Sequence, residues 1–353
     1  MTQNDRVADF IRRRAAEFAD DIAICALYGS YVNGTSNRLS DVDCFFIPKT
    51  RRGNDFAADF IIGGIGYDIY PITWERLEAI ASLRDRMLPC LCDSVIIYAS
   101  CAADRERFLD LRCDAQRALA SRDVREAAAR ARFDFARSIL AALPCVKNVS
   151  ELYSAAAALV CECADCAAVY TGNYFRYGTK RQYAELHTIP VPAALTALYH
   201  DILLSSDVNV LPALCRDIFR VTADFIGADA SVPPASGLNT DSGSSKTPDY
   251  NGMARFYEEV SSTFNKVYIS AESGDVMLCI LSAASLCYEL DELSRENGVV
   301  LPSLLERWNP CDTAPAIEDI KNAEKVLVSV IESGGGVIHR YADMDEFERA
   351  MRI

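Results

Sequence analysis

The stretch Ala26–Phe46, "ALYGSYVNGTSNRLSDVDCFF", decides how this chain is read. An apolar run ends in Gly29-Ser30, a polar segment follows, and two aspartates one residue apart lead into a second apolar run. Aspartate is a poor strand former, so a pair of them at the head of a buried strand calls for a chemical reason. On a strand, residues two apart point to the same face. Asp41 and Asp43 are therefore expected to project together while Val42 enters the core. Adjacent carboxylates repel, and the pKa of one rises unless a cation sits between them. Hard oxygen donors suit magnesium, which takes one or two carboxylates together with substrate phosphates.

Working outward, Gly29-Ser30 follows the apolar run "IAICALY" (22–28) directly. Glycine lets backbone approach a phosphate closely, and amides with a serine hydroxyl can hold an anion. The ten residues between Ser30 and Asp41 suffice for a helical turn leading back to the sheet. Downstream, "GYDIYPIT" (66–73) alternates, is bounded by Gly63, Gly64 and Gly66, and reads as the neighbouring strand. It supplies Asp68. Three carboxylates on two strands can hold two metal ions for an in-line displacement at phosphorus. Each piece alone has a plain reading: Gly-Ser is a common turn, "SDVD" also suits a turn, and Asp68 alone could be an edge residue facing water. It is their order and spacing together that carry weight.

Further strands are expected at 41–47 and at "SVIIYAS" (94–100). Val7, Phe10, Ile11 and Phe18 fall at helical spacing, which predicts a helix over 3–19, and Thr73 reads as the N-cap of "TWERLEAIASL". Beyond residue 103 the chain is rich in helix formers, with helices expected within 103–142 and over 149–171, 191–204, 207–226, 251–272, 275–297, 315–333 and 343–352. The stretch 227–250, dense in Gly, Ser, Pro and Asp, has linker composition. The fold class is α+β: an α/β head with a mixed sheet (1–105), a helical domain (106–228), a linker or long loop (229–250) and a second helical region (251–353).

The 353 residues carry a net charge of −14, which disfavours nonspecific binding to nucleic acid phosphates. No apolar run reads as a membrane span, and "MTQNDRVADFIRRRAAEF" lacks an apolar signal core. A cytoplasmic location without a membrane partner is expected. The 14 cysteines sit mostly among apolar residues, as in "LCILSAASLCYEL", where reduced thiols behave as small hydrophobes.

Strand, Gly-Ser, about ten residues, Asp-x-Asp on a strand and an Asp on the next strand together resemble the DNA polymerase β-like nucleotidyltransferase superfamily. The resemblance covers roughly residues 22–73. It implies that Gly29 and Ser30 bind a nucleoside triphosphate, that Asp41 and Asp43 ligate magnesium, two ions in all, and that Asp68 completes the metal site or deprotonates an acceptor hydroxyl. A small head followed by helices is similar to the kanamycin- and lincosamide-type antibiotic nucleotidyltransferases. That implies AMP transfer from ATP to a small hydroxylated acceptor. Two alternatives stand beside it: a protein adenylyltransferase of toxin–antitoxin type, and a nucleotide-binding module with little turnover. The segment "TGNYFRYGTKRQYAEL" (171–186) is also similar to a stretch in bacterial members of the group. Arg176, Lys180 and Arg181 either reach the triphosphate or cap a helix C-terminus, where cations are favoured.

Other chemistry-bearing residues read more plainly. Cys163 and Cys166 have the spacing of a zinc half-site, but Cys161, Cys163 and Cys166 lie on one expected helix with no second half-site, so packing is the expectation. Glu162, mid-helix in an apolar run, is either a base in an interdomain cleft or solvated beside Asp165, and the solvated reading is favoured. His187, His200 and His339 show no ligand spacing.

Overall fold

The computed structural model describes residues 2–233 and 247–351. Helix α1 (Gln3–Glu17) opens with a reciprocal capping box between Thr2 and Asp5. The head continues with β1 (Ile22–Tyr28), α2 (Gly29–Asn33), β2 (Asp43–Pro48), β3 (Ala58–Ile62), β4 (Ile65–Pro71), α3 (Trp74–Ala81), α4 (Leu88–Cys92) and β5 (Val95–Ala99). Helices then take over: α5 (Ala102–Ala120), α6 (Arg122–Ala142), α7 (Val149–Tyr170), α8 (Gln182–Leu186), α9 (Ala193–Leu203), α10 (Leu211–Ile226), α11 (Tyr250–Ser273), α12 (Val276–Asn297) and α13 (Ala314–Ser333). A two-residue strand β6 (Arg340–Tyr341) and α14 (Met344–Ala350) close the chain. Most of the expected linker at 229–250 lies outside the described residues.

The six strands form one mixed sheet in the order β5-β1-β2-β4-β3-β6. β1 is antiparallel to β2 and β5, β2 is parallel to β4, and β3 is antiparallel to β4 and parallel to β6. Period-2 alternation divides its side chains between two faces. One face, with Cys25, Leu27, Cys44, Phe46, Phe60, Tyr67 and Ile69, packs on Val7, Phe10 and Ile11 of α1. Phe347 of α14 joins them, its ring 4.8 Å from Phe10 and 4.4 Å from Phe60. Burying such a ring contributes about 2–3 kcal/mol. The C-terminal segment therefore belongs to the head's own core and adds β6 to its sheet, so the region after 251 is not helical throughout, as the sequence reading had it.

The other face carries Ala26, Phe45 and Ile47, and its core runs on without a break into the helices as far as Ile331. Helix α11 lies on this face over β3 and β4. It comes so near that a β-carbon on Gly66 would overlap the Ser261 hydroxyl and the Glu258 carbonyl oxygen. Glycine at 66 is what lets the helix approach. By length and composition α7 is long and apolar enough to cross a bilayer, contrary to the expectation from sequence. Its apolar length instead packs chiefly on α6, α10 and α12.

Candidate functional site

The site is built where β1 and β2 meet β4. Tyr28, the last residue of β1, pairs with Asp43, the first of β2. Immediately afterwards Gly29 turns the chain with φ +74 into α2, which ends at Gly34 in the left-handed region. A β-carbon at 29 would overlap Asp43 Oδ2 and lie 2.7 Å from its Cγ. The Gly-Ser turn and the second aspartate are thus in direct contact.

Asp41 is placed differently from expectation. The strand begins at Asp43, and Asp41 lies in the preceding loop. Asn4 of α1 anchors that loop, its side-chain amide donating to the carbonyls of Ser40 at 2.8 Å and Asp41 at 3.4 Å. Val42 is buried against α1 as read. Asp41 is itself only 8% exposed, and Lys266 Nζ of α11 stands 3.9 Å from its Oδ2.

Asp68 arrives by register. Cys44 pairs with Ile69 in the parallel β2–β4 ladder, so the preceding residues, Asp43 and Asp68, sit level on the helix-covered face. Across the β3–β4 hairpin Asp68 pairs with Asp59, and the two carboxyls are close enough to share a proton. Burial, then the Asp59 hydrogen bond and charge, push Asp68 up to about 9. Burial and the Asp41 charge raise Asp43 to about 7, against the opposing pull of Lys266 and Lys180. Burial and the neighbouring Lys266 lower Lys180 to about 8, whereas the Asp41 charge raises Lys266. This is a dense set of carboxyls with two ammonium groups set among them.

No family model and no curated protein matches this chain. Among solved structures it is similar to a nucleotidyltransferase-like protein from Exiguobacterium sibiricum, with 11% identity over 93% of this chain and 92% of that one and a TM-score of 0.33. A likeness that distant carries no functional argument, and the site stands on its own geometry.

Donor chemistry fits a divalent hard cation: oxygen donors only, with four carboxyls, Asp41, Asp43, Asp59 and Asp68, set against two ammonium groups. Among the described residues, however, no three histidine, cysteine or carboxylate side chains form a ready metal cage. An ion here would draw its remaining ligands from elsewhere, as magnesium does with nucleotide phosphates.

Of the cations read from sequence, Lys180 joins the aspartates. Its Nζ donates to Thr263 of α11 at 3.0 Å, and its charge is felt at Asp43. Arg176 is engaged elsewhere, with Nε and Nη2 on Asp93 Oδ1 at 3.0 and 2.5 Å. Arg181 pairs with Asp275 at 2.7 Å. Glu162 corrects the solvated reading: it is 5% exposed and ion-paired with Arg86, while Asp165 pairs with Arg132 at 2.5 Å. Cys163 and Cys166 are buried in the α7 packing. His339 Nδ1 lies 3.0 Å from Glu258, and His200 Nδ1 lies 3.2 Å from its neighbour Asp201. His187 lies edge-on to Tyr183.

Sequence reasoning missed Asp59, Lys266 and Thr263. Asp59 had a signal, the Gly63-Gly64 hairpin that sets it opposite Asp68. Lys266 had a fainter one, as one of only seven lysines and the sole charged residue between Glu259 and Glu272.

Proposed function

We propose that the protein moves a nucleoside monophosphate, AMP from ATP, to a hydroxyl of a small molecule. The observation that carries this reading is the contact between the Gly29-Ser30 turn and Asp43, with Lys180 and Lys266 facing the same carboxylates. A phosphate-binding turn, acidic metal ligands and paired cations at one spot are the parts that triphosphate chemistry needs.

In this reading the Ser30 hydroxyl and nearby amides hold the phosphate tail, and Lys180 and Lys266 neutralise it. Asp41, Asp43 and Asp68 would hold magnesium. When bound, magnesium supplies charge neutralisation at the α-phosphate and the departing pyrophosphate. The acceptor oxygen forms the new bond to the α-phosphorus, the bond to pyrophosphate breaks, and the hydroxyl proton passes to Asp68 once binding of nucleotide with its metal has stripped Asp68 of its own proton. Asp59 beside it opposes ionisation of Asp68 and so sets how readily that carboxyl gives up its proton.

One observation favours a second reading, a nucleotide-binding module with little turnover. Lys266 already stands by Asp41, and Asp68 retains its proton at neutral pH, which suits binding better than catalysis. Mass spectrometry decides between them. The protein is incubated with ATP, magnesium and a panel of aminoglycosides, lincosamides and cell extract. An acceptor heavier by one AMP, with release of pyrophosphate, supports transfer. ATP binding without any modified acceptor supports the module, and no ATP binding at millimolar concentration removes both.

A further inference from the structure

Lys180 sits on a segment with little regular structure, between the end of α7 and α8, yet its ammonium is held on Thr263 of α11 at 3.0 Å, near enough for its charge to be felt at Asp43. Something must hold that segment. Its first half is tied to the head through Asp93, the residue that ends α4. Tyr174 donates its hydroxyl to Asp93 Oδ2 at 2.8 Å, while Arg176 takes Oδ1 with two nitrogens. Asp93 has a side chain only 8% exposed, whereas Arg176 is 63% exposed. A mostly buried carboxylate therefore has its charge answered by an arginine from this segment. Glu185 of α8 then receives the main-chain amides of Arg176 at 2.7 Å and Tyr177 at 2.9 Å. The second half is tied to the helices. Gln182, 2% exposed, donates to the Cys161 carbonyl at 3.1 Å and accepts from Tyr199 at 3.0 Å. Lys180 lies between these two anchorages.

We propose that Asp93 and Arg176 are a positioning pair that braces the segment 172–182 so that Lys180 faces the phosphates of the nucleotide. The pair does not touch the nucleotide; it acts through Lys180. A long side chain on an unbraced loop would lose the orientation that makes a charged phosphate contact worth having. This inference rests on the nucleotide reading of the site.

The test is a coupling experiment on ATP binding with magnesium, read as Kd. Arg176→Leu leaves the mostly buried Asp93 carboxylate without its counter-charge and should lower the melting temperature modestly; in the folded protein it should weaken ATP about tenfold, the scale of one charge-assisted contact. Asp93→Asn should do the same, and Arg176→Lys should recover part of the loss, since it keeps the charge but not the two-nitrogen fork. Lys180→Met should weaken ATP by a similar factor. If the brace acts through Lys180, Arg176→Leu added to Lys180→Met costs nothing further. Additive losses in the double variant, or unchanged affinity in Arg176→Leu, overturn the brace while leaving the nucleotide reading intact. A wild type that binds no ATP overturns both.

Discussion

Gly29 and Asp43 touch: the aspartate carboxylate occupies the space that any side chain at position 29 would need. Two features of the sequence fourteen residues apart are therefore one structural unit. The turn is left-handed because glycine allows it, and the carboxylate can turn inward because glycine leaves room.

Gly29→Ala should accordingly do two kinds of harm. Holding alanine at φ +74 costs about 1–3 kcal/mol, and the overlap drives Asp43 from its position. Chemical denaturation should report the stability loss, and calorimetry should report loss of ATP binding with magnesium. A variant that is destabilised yet binds ATP normally would separate the turn from the proposed nucleotide site.

Asp43→Asn preserves shape and removes charge. Transfer to an acceptor used by the wild type should fall at least about a hundredfold, the scale of losing one electrostatic contact to the transition state. Stability should move the other way. The folded Asp43 carboxyl titrates near 7, above its ordinary 3.8, so its stabilising contribution is complete below the ordinary value and is lost as pH rises through about 7. Asparagine has no such loss. Without magnesium, Asp43→Asn should gain on the wild type in urea unfolding between pH 5 and pH 8. Equal rates of transfer in the two proteins would make the aspartate structural.

Magnesium and protons should compete at this site. Burial and Asp59 keep a proton on Asp68 up to about pH 9, and a carboxylate must be deprotonated to ligate a metal. Binding of magnesium with nucleotide at pH 7 should therefore release protons. Calorimetry in two buffers of different ionisation enthalpy reads this directly. Identical apparent enthalpies in both would show that neither Asp43 nor Asp68 gives up a proton on binding.

The head of the fold was legible because its signals are local. Alternation, glycine punctuation and the Thr73 cap are carried by neighbours in sequence. Even the missed strand β3 had a local signal. A two-residue hairpin at Gly63-Gly64, both with positive φ, sets Ile62 against Ile65 and so counts back to Asp59 against Asp68. Three other features depend on contacts that no window contains. Lys266 reaches Asp41 across 225 positions, since α11 settles on the sheet only because Gly66 lacks a side chain. β6 joins the sheet from the far end of the chain, fixed by Phe347 on Phe10 and Phe60. Glu162 resembles a solvated residue beside Asp165 until Arg86 and Arg132 arrive from other segments, one for each acid.

That last arrangement gives a prediction that separates structure from chemistry. Glu162 is buried, its carboxyl is raised by burial despite the pairing with Arg86, and its Oε2 has no hydrogen-bond partner among the described residues. Arg86→Ala leaves this carboxylate without its counter-charge. Breaking a fully buried pair costs about 3–5 kcal/mol, but Arg86 is 44% exposed and water can reach the gap, so a loss of about 2 kcal/mol is expected. Glu162→Gln removes the charge that needs a partner and should cost less than Arg86→Ala. It should also leave transfer within a few-fold of wild type, because the carboxylate is committed to Arg86 rather than to an acceptor. Denaturant midpoints rank the two variants, and the AMP-transfer assay supplies the second reading. If Glu162→Gln abolished transfer while melting like the wild type, Glu162 would be the catalytic base and Arg86 the residue that tunes it.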